Sequence, residues 1–177
     1  MPVRLKGKAI AIFLEDTYED NEFWYPYYRL IEEGATVTVI APRLDTFTGK
    51  YGIPAKPDVT IEQARSRDYA ALIIPGGYSP DKMRRYPAMV QFVRDLHAAN
   101  KVIAAICHAG WMLVSAGVLK GRKATSFFAI KDDMVNAGCE WVDQEVVRDG
   151  NLITSRTPKD LPAFCREIIR AIESLPT

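Results

Sequence analysis

The sequence predicts an α/β fold built on a parallel sheet, and three observations predict it. Short apolar runs alternate with helix-period segments from the start of the chain; the runs are almost continuously apolar; and one of them ends in a cysteine followed directly by a helix-forming segment. Continuous apolar runs suit parallel strands covered on both faces, because a side chain there is buried whichever way it points. With 177 residues, the chain falls in the size range of one domain with a substantial core.

The elements follow in order. Lys8 to Leu14 reads as a first strand, followed by the acidic loop Glu15 to Asn21. From Glu22 to Glu33, Phe23, Tyr27, Leu30 and Ile31 recur at helical spacing, and Gly34 supplies a left-handed stop. Thr36 to Ile40 is the next strand, which completes a βαβ unit. Residues 42 to 59, punctuated by Pro42, Gly49, Gly52, Pro54 and Pro57, read as a turn-rich excursion or small hairpin. A short helix is expected over Ile61 to Arg65, and a buried strand over Tyr69 to Ile74, closed by Pro75-Gly76-Gly77. Tyr78 to Tyr86 is loop or irregular helix, and Pro87 opens a helix reaching Ala99. Lys101 to Ile106 is a strand, and His108 to Ser115 a helix stopped near Gly117. Ala124 to Phe128 is expected to enter another strand, and Ile130 to Asn136 to form a short helix. Asp149-Gly150 marks a hairpin between Glu145 to Arg148 and Asn151 to Thr154, and Pro158 to Ile172 closes the chain as a helix.

Composition narrows the function classes. Lys plus Arg number 23 against 22 Asp plus Glu, so no broad basic field is available for nucleic acid or an anionic membrane. No window approaches the roughly 20 apolar residues of a membrane span, and the first apolar run is too short for a secretory signal. A cytoplasmic protein is expected. The three cysteines, Cys107, Cys139 and Cys165, and the two histidines, His97 and His108, have neither disulfide nor zinc spacing. No metal or organic cofactor is expected.

Cys107 stands where the apolar run Val102 to Ile106 gives way to a helix. Ligands of open α/β sheets bind beyond the carboxyl ends of the strands, and a sharp strand-to-helix turn projects a nucleophile at its apex. The helix start is expected to lower the thiol pKa. Read alone, such a string is more often a buried core cysteine. Gly76 and Gly77 follow another buried strand and form a plausible oxyanion cradle, although paired glycines are also ordinary loop punctuation. In the acidic loop most carboxylates are expected to face solvent, yet Glu22 opens a helix from which it could reach the thiol. Tyr18, Tyr78, Trp111, Phe127 and Phe128 could wall a pocket or pack in the core. Cys139 and Cys165 read as structural. Phe23-Trp24-Tyr25 with Tyr27-Tyr28 exceeds what one buried stripe needs, which hints at a contact with another subunit.

The strings Tyr18-Glu19-Asp20-Asn21-Glu22 with Tyr25-Pro26, Pro75-Gly76-Gly77, Ala105-Ile106-Cys107-His108, Ser115 to Arg122, Lys131 to Gly138 and Glu140-Trp141-Val142-Asp143 occur in order across nearly the whole chain. On them the sequence resembles the PfpI-type intracellular protease family, within the superfamily of the parkinsonism-associated deglycase and similar to class I glutamine amidotransferase domains. The resemblance implies one domain over residues 1–177, a flavodoxin-like three-layer sandwich with a mostly parallel sheet. It implies Cys107 as the elbow nucleophile with His108 beside it, Glu22 contacting the thiol, and Gly76 and Gly77 as oxyanion glycines. Asp81 falls where protease-like members place a glutamate that reaches the histidine of a neighbouring subunit, so dimers or hexamers are implied. Three departures stand out: Ala109-Gly110 replaces the usual Gly-Pro, Asp81 is one methylene shorter than glutamate, and Phe127-Phe128-Ala129 stands where Tyr-Pro-Gly is common.

The leading expectation is a cysteine-dependent hydrolase or lyase of glyoxalase or deglycase type, acting on small carbonyl compounds or their protein adducts. Its rivals are an intracellular cysteine peptidase, a hydratase or hydrolase of a specialised small molecule, and a non-enzymatic thiol sensor of oxidative stress.

Overall fold

A computed structural model gives the fold over residues 3–175. In chain order the elements are β1 (Ala9–Phe13), α1 (Asp20–Glu32), β2 (Thr36–Ala41), β3 (Phe47–Thr48), β4 (Pro54–Ala55), β5 (Val59–Thr60), β6 (Ala71–Ile74), α2 (Ser79–Met83), α3 (Pro87–Ala98), β7 (Val102–Ile106), α4 (Gly110–Ala116), β8 (Lys123–Ala124), α5 (Lys131–Asn136), β9 (Glu140–Trp141), β10 (Val147–Asp149), β11 (Leu152–Ser155) and α6 (Leu161–Glu173). Single 3-10 turns lie at Ser66–Asp68, Cys107–Ala109, Phe128–Ile130 and Pro158–Asp160.

The main sheet runs in the order β10-β11-β7-β6-β1-β2-β5. Every neighbouring pair is parallel except the β10–β11 hairpin. Alternate side chains of the central strands feed two cores. Ile10, Ile12, Ile73, Ala104 and Ile153 pack with Phe23 and Leu30 of α1 and with Phe164, Ile168 and Ile172 of α6. Ala11, Phe13, Leu72, Ile74, Ile103 and Leu152 pack on the other face with Met89, Val93 and Leu96 of α3 and with Met112 and Leu113 of α4. This is the flavodoxin-like sandwich, and each continuous apolar run was written for two faces.

The chain leaves β1 toward β2 on one side and returns to β6 on the other, so the strand order reverses between β1 and β6. A crevice opens beyond the carboxyl ends at such a switch point. The segments following β1, β2, β6, β7 and β11 all emerge at this edge.

Several boundaries differ from the sequence pattern for identifiable reasons. Helix α1 begins at Asp20, two residues before expectation, because the Glu19 carboxylate caps it by accepting the Glu22 N–H at 2.9 Å. No helix forms over residues 61–65: Gln63 and Ala64 both donate to the Thr60 carbonyl, which closes one turn and goes no further. The strand expected over Ala124 to Phe128 is only Lys123–Ala124, paired with β9, since the chain then bends until the Phe127 N–H donates to the Cys107 carbonyl. Cys139 and Cys165 are buried free thiols, in keeping with structural roles. No helix among the described residues is long and apolar enough to cross a membrane.

Candidate active site

Strand β7 delivers Cys107 into the crevice through a strained turn. Its φ is +62°, a left-handed conformation that a side chain other than glycine adopts at a cost of order 1 kcal/mol or more. The turn aims Sγ away from the strand axis, and the 3-10 segment Cys107–Ala109 leads straight into α4. Cys107 is 8% exposed, yet it lines a cavity of about 310 Å³ together with Glu19, Glu22, Lys50, Tyr51, Gly77, Tyr78, His108, Phe127, Thr157 and Pro158. The thiol is shielded but reachable.

Glu22 is fully buried in the first turn of α1. Its Oε2 accepts the Gly76 N–H at 2.7 Å, while Oε1 is buried with no hydrogen-bond partner. Burial first, then the nearby Glu19 charge, pushes its pKa up to about 8, against the pull of the Gly76 N–H and the Cys107 side chain. Burial also pushes the Cys107 thiol upward, and an ionised Glu22 adds to the rise, while the backbone N–H groups of His108 and Gly77 oppose it. The expectation that the helix start would lower this thiol's pKa is therefore corrected: desolvation by burial outweighs one short turn of amides. The two groups form a pair that accommodates at most one negative charge.

The glycines divide their labour. Gly76 gives its N–H to Glu22 and so is not a free oxyanion donor, contrary to expectation. A Cβ on Gly76 would lie 2.6 Å from Glu22 Oε2 and 2.8 Å from Cys107 Cβ, so only glycine lets acid and nucleophile approach. Gly77, at φ +72°, faces the pocket, and its N–H joins that of His108 near the sulfur.

His108 Nδ1 stands 3.2 Å from Cys107 Sγ, its donor or acceptor role set by the tautomer. The ring is framed by Phe127 at 4.8 Å, Trp111 at 5.2 Å and Tyr78 at 6.3 Å. Burial, then the Lys50 charge, lowers its pKa, which keeps the imidazole neutral at pH 7. No carboxylate hydrogen-bonds this ring among the described residues.

Two expected participants lie elsewhere. Tyr18 is fully buried and does not line the pocket, because its hydroxyl donates to the Ile53 carbonyl at 2.5 Å. Its backbone forms a β-bridge to Gly77, so it holds that glycine in place from outside the cavity. Asp81 in α2 lies outside the pocket of its own chain and pairs with Arg85 at 2.5 Å. Phe127 is in the wall, stacked on His108, and Gly110 sits where a Cβ would be 2.6 Å from Met134 Sδ, so methionine fills the space beside the first helical turn.

Lys50, Tyr51, Thr157 and Pro158 also line the cavity and were not singled out in the sequence. Their signal was position: they belong to segments that follow β2 and β11 at the carboxyl edge. No group of three or more His, Cys, Asp or Glu residues among those described is placed to hold a metal ion.

A left-handed cysteine at the end of a central parallel strand, paired with a buried acid across a glycine, defines the elbow-nucleophile class of flavodoxin-like proteins. The chain belongs to the DJ-1/PfpI family, whose sequence model matches residues 8–171. It is 44% identical over 164 residues to the Pyrococcus furiosus protein named Deglycase PfpI, covering 93% of this chain and 99% of that one. It is 42% identical over 169 residues to Protein/nucleic acid deglycase 2 of Escherichia coli, covering 94% and 98%. A crystal structure of a two-domain Anabaena variabilis protein with DJ-1/ThiJ/PfpI-like and ferritin-like domains superposes at a TM-score of 0.93 and 40% identity, over 96% of this chain but 50% of that longer one.

Proposed function

We propose that this chain is a cysteine-dependent enzyme of glyoxalase or deglycase type, acting on small carbonyl compounds or their adducts with proteins. The observation that carries the reading is the buried Glu22–Cys107 pair, with a carboxylate pKa raised to about 8 beside a nucleophile and two backbone donors. An acid titrating near the working pH is suited to move protons in both directions. The names of the Pyrococcus furiosus and Escherichia coli relatives support the same chemistry.

For a 2-oxoaldehyde the steps balance without an external oxidant. Sγ bonds to the aldehyde carbon as Glu22 takes the thiol proton, and the oxygen, held by the Gly77 and His108 N–H groups, receives a proton to give a hemithioacetal. A proton then moves from that carbon to the neighbouring one through Glu22, oxidising the first and reducing the second. Water hydrolyses the resulting thioester, which releases a 2-hydroxy acid and the thiol. On a protein hemiaminal adduct the C–N bond would break as the Sγ–C bond forms, the amine leaving with the thiol proton, to give the same hemithioacetal.

Peptide hydrolysis fits less well, because a histidine base needs an orienting carboxylate, and Asp81, which would supply it from a neighbouring copy, is one methylene shorter than the glutamate of protease-like members. Self-association is part of the proposal: Tyr25 and Tyr28 of α1 are exposed, a face suited to another copy. Cytoplasmic residence accords with three unpaired cysteines.

The test is consumption of methylglyoxal with lactate formation by wild type and by Cys107→Ala. The wild type is expected to show saturable turnover and the variant none; equal rates in both would overturn the reading.

A further inference from the structure

The cavity wall contains one cation among the described residues, Lys50, and the titratable groups around it are Glu19, Glu22, Tyr51, Tyr78, Cys107 and His108. Lys50 lies in the turn of the β3–β4 hairpin, and that turn is held in place. The Lys50 N–H donates to the Tyr18 carbonyl at 2.7 Å, and the Gly49 N–H to the Ile53 carbonyl at 2.8 Å. Asp20, buried at the start of α1, accepts the Tyr51 and Ile53 N–H groups at 2.8 and 3.1 Å. A Cβ on Gly49 would lie 2.2 Å from Asp20 Oδ1, so the backbone presses directly on the carboxylate that anchors it. Beneath the turn, the Phe47 ring is fully buried.

The ammonium itself is not neutralised. Lys50 forms no ion pair among the described residues; its Nζ lies 5.3 Å from the Tyr51 ring centroid and its side chain hydrogen-bonds with that of Tyr51. Arg43, earlier in the same excursion, is instead matched to Glu15, Asp16 and Asp45. Glu19 attracts the ammonium across the mouth without an ion pair; that carboxylate is 5% exposed and caps α1. A cation with no carboxylate in bonding contact, on a turn held by its backbone, therefore shares one small cavity with Cys107.

Resting on the carbonyl chemistry above, we infer that Lys50 is a specificity-determining residue that binds a carboxylate carried by the substrate while Cys107 attacks its carbonyl carbon. The substrate class is a carbonyl compound with an acid group, in preference to a neutral dicarbonyl. A charge pair at a partly open mouth favours the anionic substrate by about three- to tenfold.

Two measurements test this separately from turnover. Iodoacetate and iodoacetamide alkylate Cys107 by the same step: the Sγ–C bond forms, the C–I bond breaks, iodide departs, and the thiol proton passes to solvent. They differ in carrying a carboxylate or an amide. The ratio of their rate constants, read by mass at the Cys107 peptide, is expected to fall about fivefold in Lys50→Gln, to be kept in Lys50→Arg, and to shrink in wild type at high salt. An unchanged ratio in Lys50→Gln, loss in Lys50→Arg, or no alkylation of wild type by either reagent would overturn the inference. The second measurement compares kcat/KM for 4,5-dioxopentanoate and methylglyoxal; their ratio is expected to fall in Lys50→Gln, chiefly through KM. If the alkylation ratio responds while neither dicarbonyl is consumed, the anion site stands and the carbonyl reading falls. If both dicarbonyls are consumed while neither ratio moves, the anion site falls and the carbonyl reading stands.

Discussion

In the proposed mechanism one proton divides between Glu22 and Cys107, and the chemistry depends on where it sits. The carboxylate, pushed up to about 8 by burial, accepts the thiol proton most readily near and above that pH. Dicarbonyl kcat/KM is therefore expected to rise toward pH ~8 in the wild type, with an apparent pKa that belongs to the pair. In Glu22→Gln that rise disappears and kcat falls by about 10²-fold or more; a retained profile would remove Glu22 from proton transfer. Gly76→Ala is expected to cost about 1–3 kcal/mol in chemical denaturation, because its methyl overlaps both Glu22 and Cys107. It should also slow Cys107 alkylation. Among these residues, the placement of Cys107 at the end of a strand and of Glu22 in the first turn of a helix was legible from local periodicity. Tyr18 stayed open between pocket wall and core, since an aromatic beside an acidic helix start looks the same in sequence whether its ring turns to the crevice or to the core.

At the scale of elements, the β3–β4 hairpin and α1 act as one unit. Asp20 joins them through two backbone donors, and Tyr18 joins them again through the Ile53 carbonyl. Asp20→Ala leaves those donors without an acceptor and is expected to destabilise the fold by about 1–3 kcal/mol. Limited proteolysis should then cut within residues 47–55 well before global unfolding; unchanged protection would show that the turn is held by other contacts. The hairpin was legible as a turn-rich excursion from its glycines and prolines. Its role at the active-site rim was not, because strands two residues long carry no periodicity from which a packing partner can be read. The missing strand beyond Ala124 has a similar origin: a hydrogen bond from Phe127 to the Cys107 carbonyl overrides local β propensity.

For the whole molecule, the buried acid sets a slope of stability against pH. The folded-state pKa of Glu22 lies above its ordinary value of 4.5, so the folded chain binds more protons than the unfolded chain between the two. This group's contribution is thus fully present below about pH 4.5 and is lost as pH rises through about 8. Melting curves taken over that range should show wild type losing ground to Glu22→Gln as pH increases, and a parallel pair of profiles would refute the burial of an ionisable carboxyl. By sedimentation the protein is expected to be a dimer or larger, with Tyr28→Glu shifting it toward monomer.

The sequence by itself determined the two-sided sheet, the strand-to-helix placement of Cys107 and the family, since these rest on local periodicity and on motifs that are contiguous in the chain. Tertiary structure decided which glycine amide serves Glu22, how far the thiol is desolvated, that Tyr18 faces inward and that Lys50 reaches the pocket. Those outcomes depend on groups 30 to 90 residues apart meeting at one sheet edge, where burial and close approach set charge and hydrogen bonding, and neither is encoded in any one segment.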